Sequence, residues 1–95
     1  MNINEIPDVF CVTLRIKIIA SLVSSSKTFN ELLELTEATR GNLSVQLMKL
    51  EEWGFVISDK IIEKKRTKST YTLTSYGLNQ FEEYINTLQS VLNAK

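Results

Sequence analysis

Between Thr39 and Phe55 the sequence reads TRGNLSVQLMKLEEWGF, which sets an aliphatic stripe among hydrogen-bonding side chains of several kinds. Leu43, Leu47 and Leu50 recur at three- and four-residue steps, the spacing of one helical face. Around them stand Arg40, Asn42, Ser44 and Gln46, with Lys49 one turn on and Thr39 at the front. A helix surface that only needs to be wetted is served by Glu and Lys. This set instead matches base edges: Arg bonds guanine O6 and N7, Asn and Gln bond adenine, and Ser or Thr reaches bases or phosphates. Gly41 costs helix stability and leaves room for a phosphate to approach the backbone near a helix N-terminus.

A second cluster lies at Lys64 to Lys68, KKRTK, where Lys64, Lys65, Arg66 and Lys68 are cationic. Over the whole chain eleven Lys and Arg balance eleven Asp and Glu, a zero net charge that argues against a polyanionic partner. The distribution argues the other way. Residues 39–75 hold seven basic and four acidic residues, against three and five in 1–38 and one and two in 76–95. Phosphate contacts require a local basic surface, whatever the total.

Other chemistry is poorly provided for. The chain has no histidine and a single cysteine, Cys11, so a zinc site, a Ser-His-Asp triad, a Cys-His pair and an internal disulfide all lack their parts. Glu51-Glu52 and Glu82-Glu83 are adjacent pairs whose side chains diverge on a helix, so they do not form an acid-base site. We expect no enzyme, no cofactor and no metal. No apolar run approaches the roughly 20 residues that cross a bilayer, and Met1 to Pro7 lack the basic cluster of a signal peptide. The expected location is the cytoplasm, with no membrane partner. A chain of 95 residues with 43% hydrophobic and 23% charged residues is expected to form one domain, 1–95.

The elements that must position these residues follow from the pattern. The N-terminal third reads as one long helix or two shorter ones starting around Pro7, with Leu14, Ile18 and Leu22, and Ile19 and Val23, on the buried face. SSSK, residues 24–27, ends it. Thr28 and Glu31 stand in capping-box positions ahead of a short helix with Phe29, Leu32, Leu33 and Leu35 as its apolar face. After a brief turn Thr39 caps a third helix that runs to about Trp53, with Gly54 just past its end. FVISDKIIE (55–63) and STYTLT (69–74) read as two strands joined by the basic tip, attached to the helices by Phe55, Ile57, Tyr71 and Leu73. A last helix of about 20 residues carries a seam of Leu78, Phe81, Ile85, Leu88 and Leu92. Trp53 and Tyr76 read as packing residues at element ends, and Tyr76 could also line a cleft between two copies.

Two helices joined by a short turn form a helix-turn-helix, whose second member enters the DNA major groove. In this order and spacing the chain resembles the winged-helix transcriptional regulators of bacteria and archaea, the MarR- and ArsR-like group. The carriers are LRIKIIASL, TFNELLELT followed by TRGNLSVQLMKLEEWGFV, the basic hairpin, and TYTLTSYG leading into the last helix. The resemblance implies an α+β, mostly α fold, with three helices, a β-hairpin wing and a C-terminal dimerisation helix. The helix-turn-helix would occupy about 28–53, the wing about 55–74, and the dimerisation helices about 3–24 and 75–94. It further implies a homodimeric repressor of transcription on double-stranded DNA. Thr39, Arg40, Asn42, Ser44, Gln46 and Lys49 would make the recognition-helix contacts. Lys64, Lys65, Arg66 and Lys68 would reach the backbone or minor groove.

A last helix this long exceeds what three short helices can cover, so its outer half is expected to meet a second copy together with the N-terminal segment. Ile6, Phe10, Phe81, Ile85, Leu88 and Leu92 are the expected interface residues. The sequence departs from the family at three points. Glu37 and Ala38 stand in the turn where relatives often have glycine and a larger aliphatic residue. Lys64 and Thr67 occupy a wing tip that often has glycine and proline. The cysteine clusters of metal-sensing members are missing, and metal sensing is not implied. Cys11 reads as a small buried or interfacial side chain in preference to a redox sensor. The alternative function is a winged-helix module for protein partners, with zero net charge as its support. An unknown small-molecule effector is compatible with the first reading.

Overall fold

Three of the four helices begin where a threonine hydroxyl closes the first turn. In the computed structural model, which describes residues 1–94, Thr28 Oγ1 accepts from the Glu31 amide at 3.1 Å and Glu31 Oε1 accepts from the Thr28 amide at 2.9 Å, the reciprocal capping box. Hydrogen bonding of the carboxylate by Thr28, first through its backbone amide and then through its hydroxyl, holds Glu31 below its ordinary pKa. Thr39 Oγ1 accepts from the Asn42 amide at 3.2 Å, and Thr74 Oγ1 accepts from the Gly77 amide at 2.9 Å. The helices are α1 (Thr13–Leu22), α2 (Phe29–Thr36), α3 (Arg40–Glu52) and α4 (Ser75–Asn93). Strands β1 (Lys27–Thr28), β2 (Val56–Glu63) and β3 (Arg66–Leu73) form one antiparallel sheet in the order β1-β3-β2. The fold is the mostly helical α+β arrangement expected, with the two-residue β1 as an addition too short to show a strand pattern.

The N-terminal segment differs from the expected helix. Asn2 and Pro7 precede single 3₁₀ turns at Ile3–Glu5 and Asp8–Cys11, and α1 starts only at Thr13. The break is at Val12, whose extended backbone (φ −115°, ψ 119°) separates the second turn from α1. Val9 and Phe10 thereby drop into the core, and Cys11 is left exposed, which removes the buried alternative for its thiol and leaves the interfacial one.

Ile18, Ile19, Leu22, Leu32, Leu43, Leu47, Leu50, Phe55 and Val56 complete the core with Val9 and Phe10. Two expected core residues lie outside it, each because its helical phase is wrong by one position. Val23, just past α1, and Leu35 are exposed. On α2 the buried stripe runs 29-32-33-36, so Thr36 takes the inner place and satisfies its hydroxyl by donating to the Leu32 carbonyl at 2.7 Å. On α1 the stripe runs 15-18-19-22, which buries Arg15.

The hairpin pairs throughout, from Val56↔Leu73 to Glu63↔Arg66. Phe55 does not begin the strand: its amide returns to the Leu50 carbonyl at 2.9 Å, across Gly54 at φ +79°. Val56 is therefore the first strand residue and points inward, and strand alternation turns the expected anchor Ile57 outward. Phe55, Tyr71 and Leu73 do anchor the hairpin. Where the hairpin leads into α4, Gly77 is buried against Phe55. A Cβ at this position would lie 2.6 Å from the Phe55 carbonyl oxygen, so the helix can approach only with glycine there. β2 is an outer strand of the sheet, and Ile57, Ile61 and Ile62 on it are exposed.

Candidate nucleic-acid interface

The turn between α2 and α3 consists of Glu37, Ala38 and Thr39. Glu37 adopts the left-handed conformation (φ 58°, ψ 24°) that ends α2, and its amide donates to the Leu33 carbonyl at 3.0 Å. Glycine takes this conformation without a steric penalty, and here a glutamate adopts it at a cost. Thr36 steadies the turn by accepting from the Ala38 amide at 3.4 Å.

From this turn α3 crosses the core. Leu43, Leu47 and Leu50 are at most 1% exposed, while Thr39, Arg40, Asn42 and Ser44 stand exposed at the front of the helix and Lys49 is half-buried. Four of the six expected recognition residues thus stand exposed around the N-terminal end of α3, and Lys49 lies in its last turn. Arg40 also sets its guanidinium 5.8 Å from the Phe29 ring, which restrains its base. A Cβ on Gly41 would touch nothing within 4 Å, so nothing in this chain requires glycine there.

Gln46 sits differently. It is half-buried on the flank toward α1, and its Oε1 accepts from Arg15 Nε at 2.7 Å. Arg15 in turn donates from Nη1 to the Asp8 carbonyl at 3.1 Å and lies 4.8 Å from the Trp53 ring. This linkage joins the N-terminal turn, α1, the middle of α3 and its C-terminal end. It was missed in the sequence, because the 15-18-19-22 spacing marks the inward place of Arg15 and says nothing of its partners. Val45 and Met48 were missed too: both are apolar and exposed, on the face opposite the leucines.

The hairpin tip is shorter than the expected five residues. Only Lys64 and Lys65 form the turn, both with positive φ (50° and 64°). Consecutive positive φ values are those of a type I′ turn, a place for Asn-Gly. Arg66 and Lys68 belong to β3, and Lys68 Nζ makes an ion pair with Glu63 at 3.1 Å. Lys64, Lys65 and Arg66 are exposed and have no ion-pair partner among the described residues.

The residues expected between two copies divide. Phe10 is buried in this chain, stacked on Tyr84 (4.4 Å between ring centres) and edge-on to Phe55 (6.0 Å). Phe81 and Ile6 are half-buried against the same core. Farther along α4, Ile85 (37% exposed), Leu88, Val91 and Leu92 (72%) are uncovered. Trp53 and Tyr76 line, with Pro7, Asp8, Val9, Phe55 and Gln80, a cavity of about 400 Å³ beside the end of α3. Among the described residues no helix is long and apolar enough to cross a membrane.

Comparison with known proteins agrees with this geometry. Residues 14–92 match the family described as the winged helix DNA-binding domain. An uncharacterized protein of Methanocaldococcus jannaschii is 40% identical over 78 residues, which cover 81% of this chain and 85% of the relative. Among solved structures, a transcriptional regulator homologue from Pyrococcus horikoshii superposes with a TM-score of 0.83 at 22% identity, over 90% of this chain and 86% of its own. A MarR-family regulator from Enterococcus faecalis gives 0.82 at 18%, over 96% and 83%. PadR of Bacillus subtilis, solved in complex with operator DNA, gives 0.71 at 20% identity, over 78% of this chain and 48% of PadR. At these identities the structural likeness is one of fold.

Proposed function

Because the chain belongs to the winged helix DNA-binding domain family, whose fold is that of transcriptional regulators and not of enzymes, we propose that it is a homodimeric, sequence-specific regulator that represses by occluding a promoter. The observation that carries this reading is the division of α3, with three leucines buried to 1% or less and Arg40, Asn42 and Ser44 exposed beside the Thr39 cap. A helix held this firmly from behind presents its front as a rigid surface, which is what a major-groove reader needs. Thr39 and Lys49 would add phosphate contacts at either end.

The hairpin supplies the non-specific attraction through Lys64, Lys65 and Arg66, with Lys68 partly neutralised by Glu63. Choosing lysine at two left-handed positions costs about 1–2 kcal/mol each, and a choice made against the local backbone preference supports a role for the charge. The uncovered apolar end of α4 supports pairing of two copies, which would set two recognition helices about 34 Å apart along the duplex. The cytoplasm is the fitting compartment, and the cavity at Trp53 and Tyr76 is the place for an effector.

Zero net charge favours the second reading, a module for protein partners. Titration of random-sequence duplex at low and moderate salt separates the two. A DNA-binding protein gives a complex that weakens steeply with salt, and replacing Lys65 and Arg66 by alanine weakens all duplexes and lowers the logarithmic salt slope by about 0.9 per lost phosphate contact. Superimposable curves for the wild type and this double variant would reject the wing assignment, and no salt-sensitive complex at all would reject DNA binding.

A further inference from the structure

Exposed apolar side chains on α3 need an explanation that the fold itself does not supply. Opposite the buried leucines runs a stripe of Gly41, Val45, Met48 and Glu52, in which Val45 is 44% and Met48 53% exposed. Valine is a poorer helix former than the Glu or Lys that suit a wetted surface, and neither side chain touches the core cluster. Both lie between Arg40 at the start of the helix and Lys49 near its end, cations suited to the phosphate walls of a groove.

Of the two amides that the sequence suits to adenine, Asn42 stands exposed at the front of the helix and Gln46, in its middle, is compromised. A bidentate adenine contact needs an amide oxygen and an amide N–H together. The Gln46 oxygen already accepts from Arg15 at 2.7 Å, and Arg15 is itself fixed by the Asp8 carbonyl, so the half-buried amide is held toward α1 and away from a bidentate base contact. Val45 and Met48 thus make the centre of the face opposite the leucines apolar, and the apolar feature of the major groove is the thymine C5-methyl group.

Resting on the DNA-binding reading above, we propose that Val45 and Met48 are specificity-determining residues that contact thymine methyl groups on the floor of the major groove. The test uses the full chain and a duplex selected by it from a randomised pool. Thymines are replaced singly by deoxyuridine, which removes the methyl group and keeps every hydrogen-bonding atom. Wild-type affinity is expected to fall about fourfold for each contacted methyl, at one or two positions in each half-site. The Val45→Ala/Met48→Ala variant is expected to bind thymine and uracil duplexes equally. Both positions are exposed and alanine favours helix, so thermal unfolding of the variant should match the wild type.

Indifference of the wild type to uracil throughout the site would overturn the proposal while leaving DNA binding intact. The same holds if the double variant keeps the wild-type discrimination. If the wild type retains no duplex from the pool, the DNA-binding reading falls and this inference with it. Unchanged duplex binding by the double variant together with loss of a protein complex would assign the patch to a protein partner instead.

Discussion

Helix α3 and the tip of the hairpin hold their cations by opposite means. In α3 the features that hold the helix agree with the fold: a threonine cap, a leucine stripe in phase with the core, and Gly54 past the end in the left-handed conformation. At the tip of the hairpin the backbone ladder dictates a two-residue turn, and the sequence fills it with two lysines that the turn disfavours. Stability and the proposed DNA contacts run together in the helix and against each other in the wing. A substitution that improves one property should therefore improve the other in α3's buried face, and harm it at the tip.

The largest effect that tests this contrast is on the buried side of the helix. Leu47→Ala should destabilise the protein by about 2–5 kcal/mol in urea unfolding, because the cavity opens beneath a helix tied down by only three leucines. A loss below about 1 kcal/mol would mean that α3 is not anchored by this stripe. Replacing Lys64 by Asn and Lys65 by Gly should act in the reverse direction, raising stability by about 2 kcal/mol through relief of two left-handed lysines. The same change should weaken binding to every duplex, as read from parallel unfolding and salt-titration curves. Gain of stability without loss of affinity would remove the functional account of the tip.

Gly41→Ala sharpens the comparison within α3 itself. A methyl group there meets nothing in the chain, so the substitution should raise stability by up to about 1 kcal/mol. If the outward face approaches DNA closely at this point, affinity falls at the same time. Equal affinity would show that glycine is not required by the ligand either.

Much of this arrangement was legible in the residues. The capping threonines at 28 and 39 and the leucines at 43, 47 and 50 are local or periodic signals, and periodic signals survive without knowledge of the partner surface. The errors came where one position of phase mattered. Leu35 and Val23 looked like core because they are aliphatic, yet Thr36 and Arg15 occupy the inward places. Thr36 can do so because its hydroxyl bonds within its own helix, and Arg15 because Gln46 and the Asp8 carbonyl accept its protons. Such compensation depends on atoms distant in sequence. Ile57 failed for a related reason, since the return of the Phe55 amide to Leu50 set where strand alternation begins. At the candidate site the polar front of α3 was read correctly as exposed, whereas the Arg15–Gln46 bond, a contact across 31 positions, left no local mark.

The outer position of β2 has a consequence away from any ligand. Its free edge presents a row of amide and carbonyl groups next to exposed Ile61 and Ile62, the composition from which strands of separate molecules stack into aggregates. Asp59 and Lys60 interrupt that edge halfway along. Placed there, the two charges act as gatekeepers, so the wing keeps a long hairpin while resisting growth into fibrils.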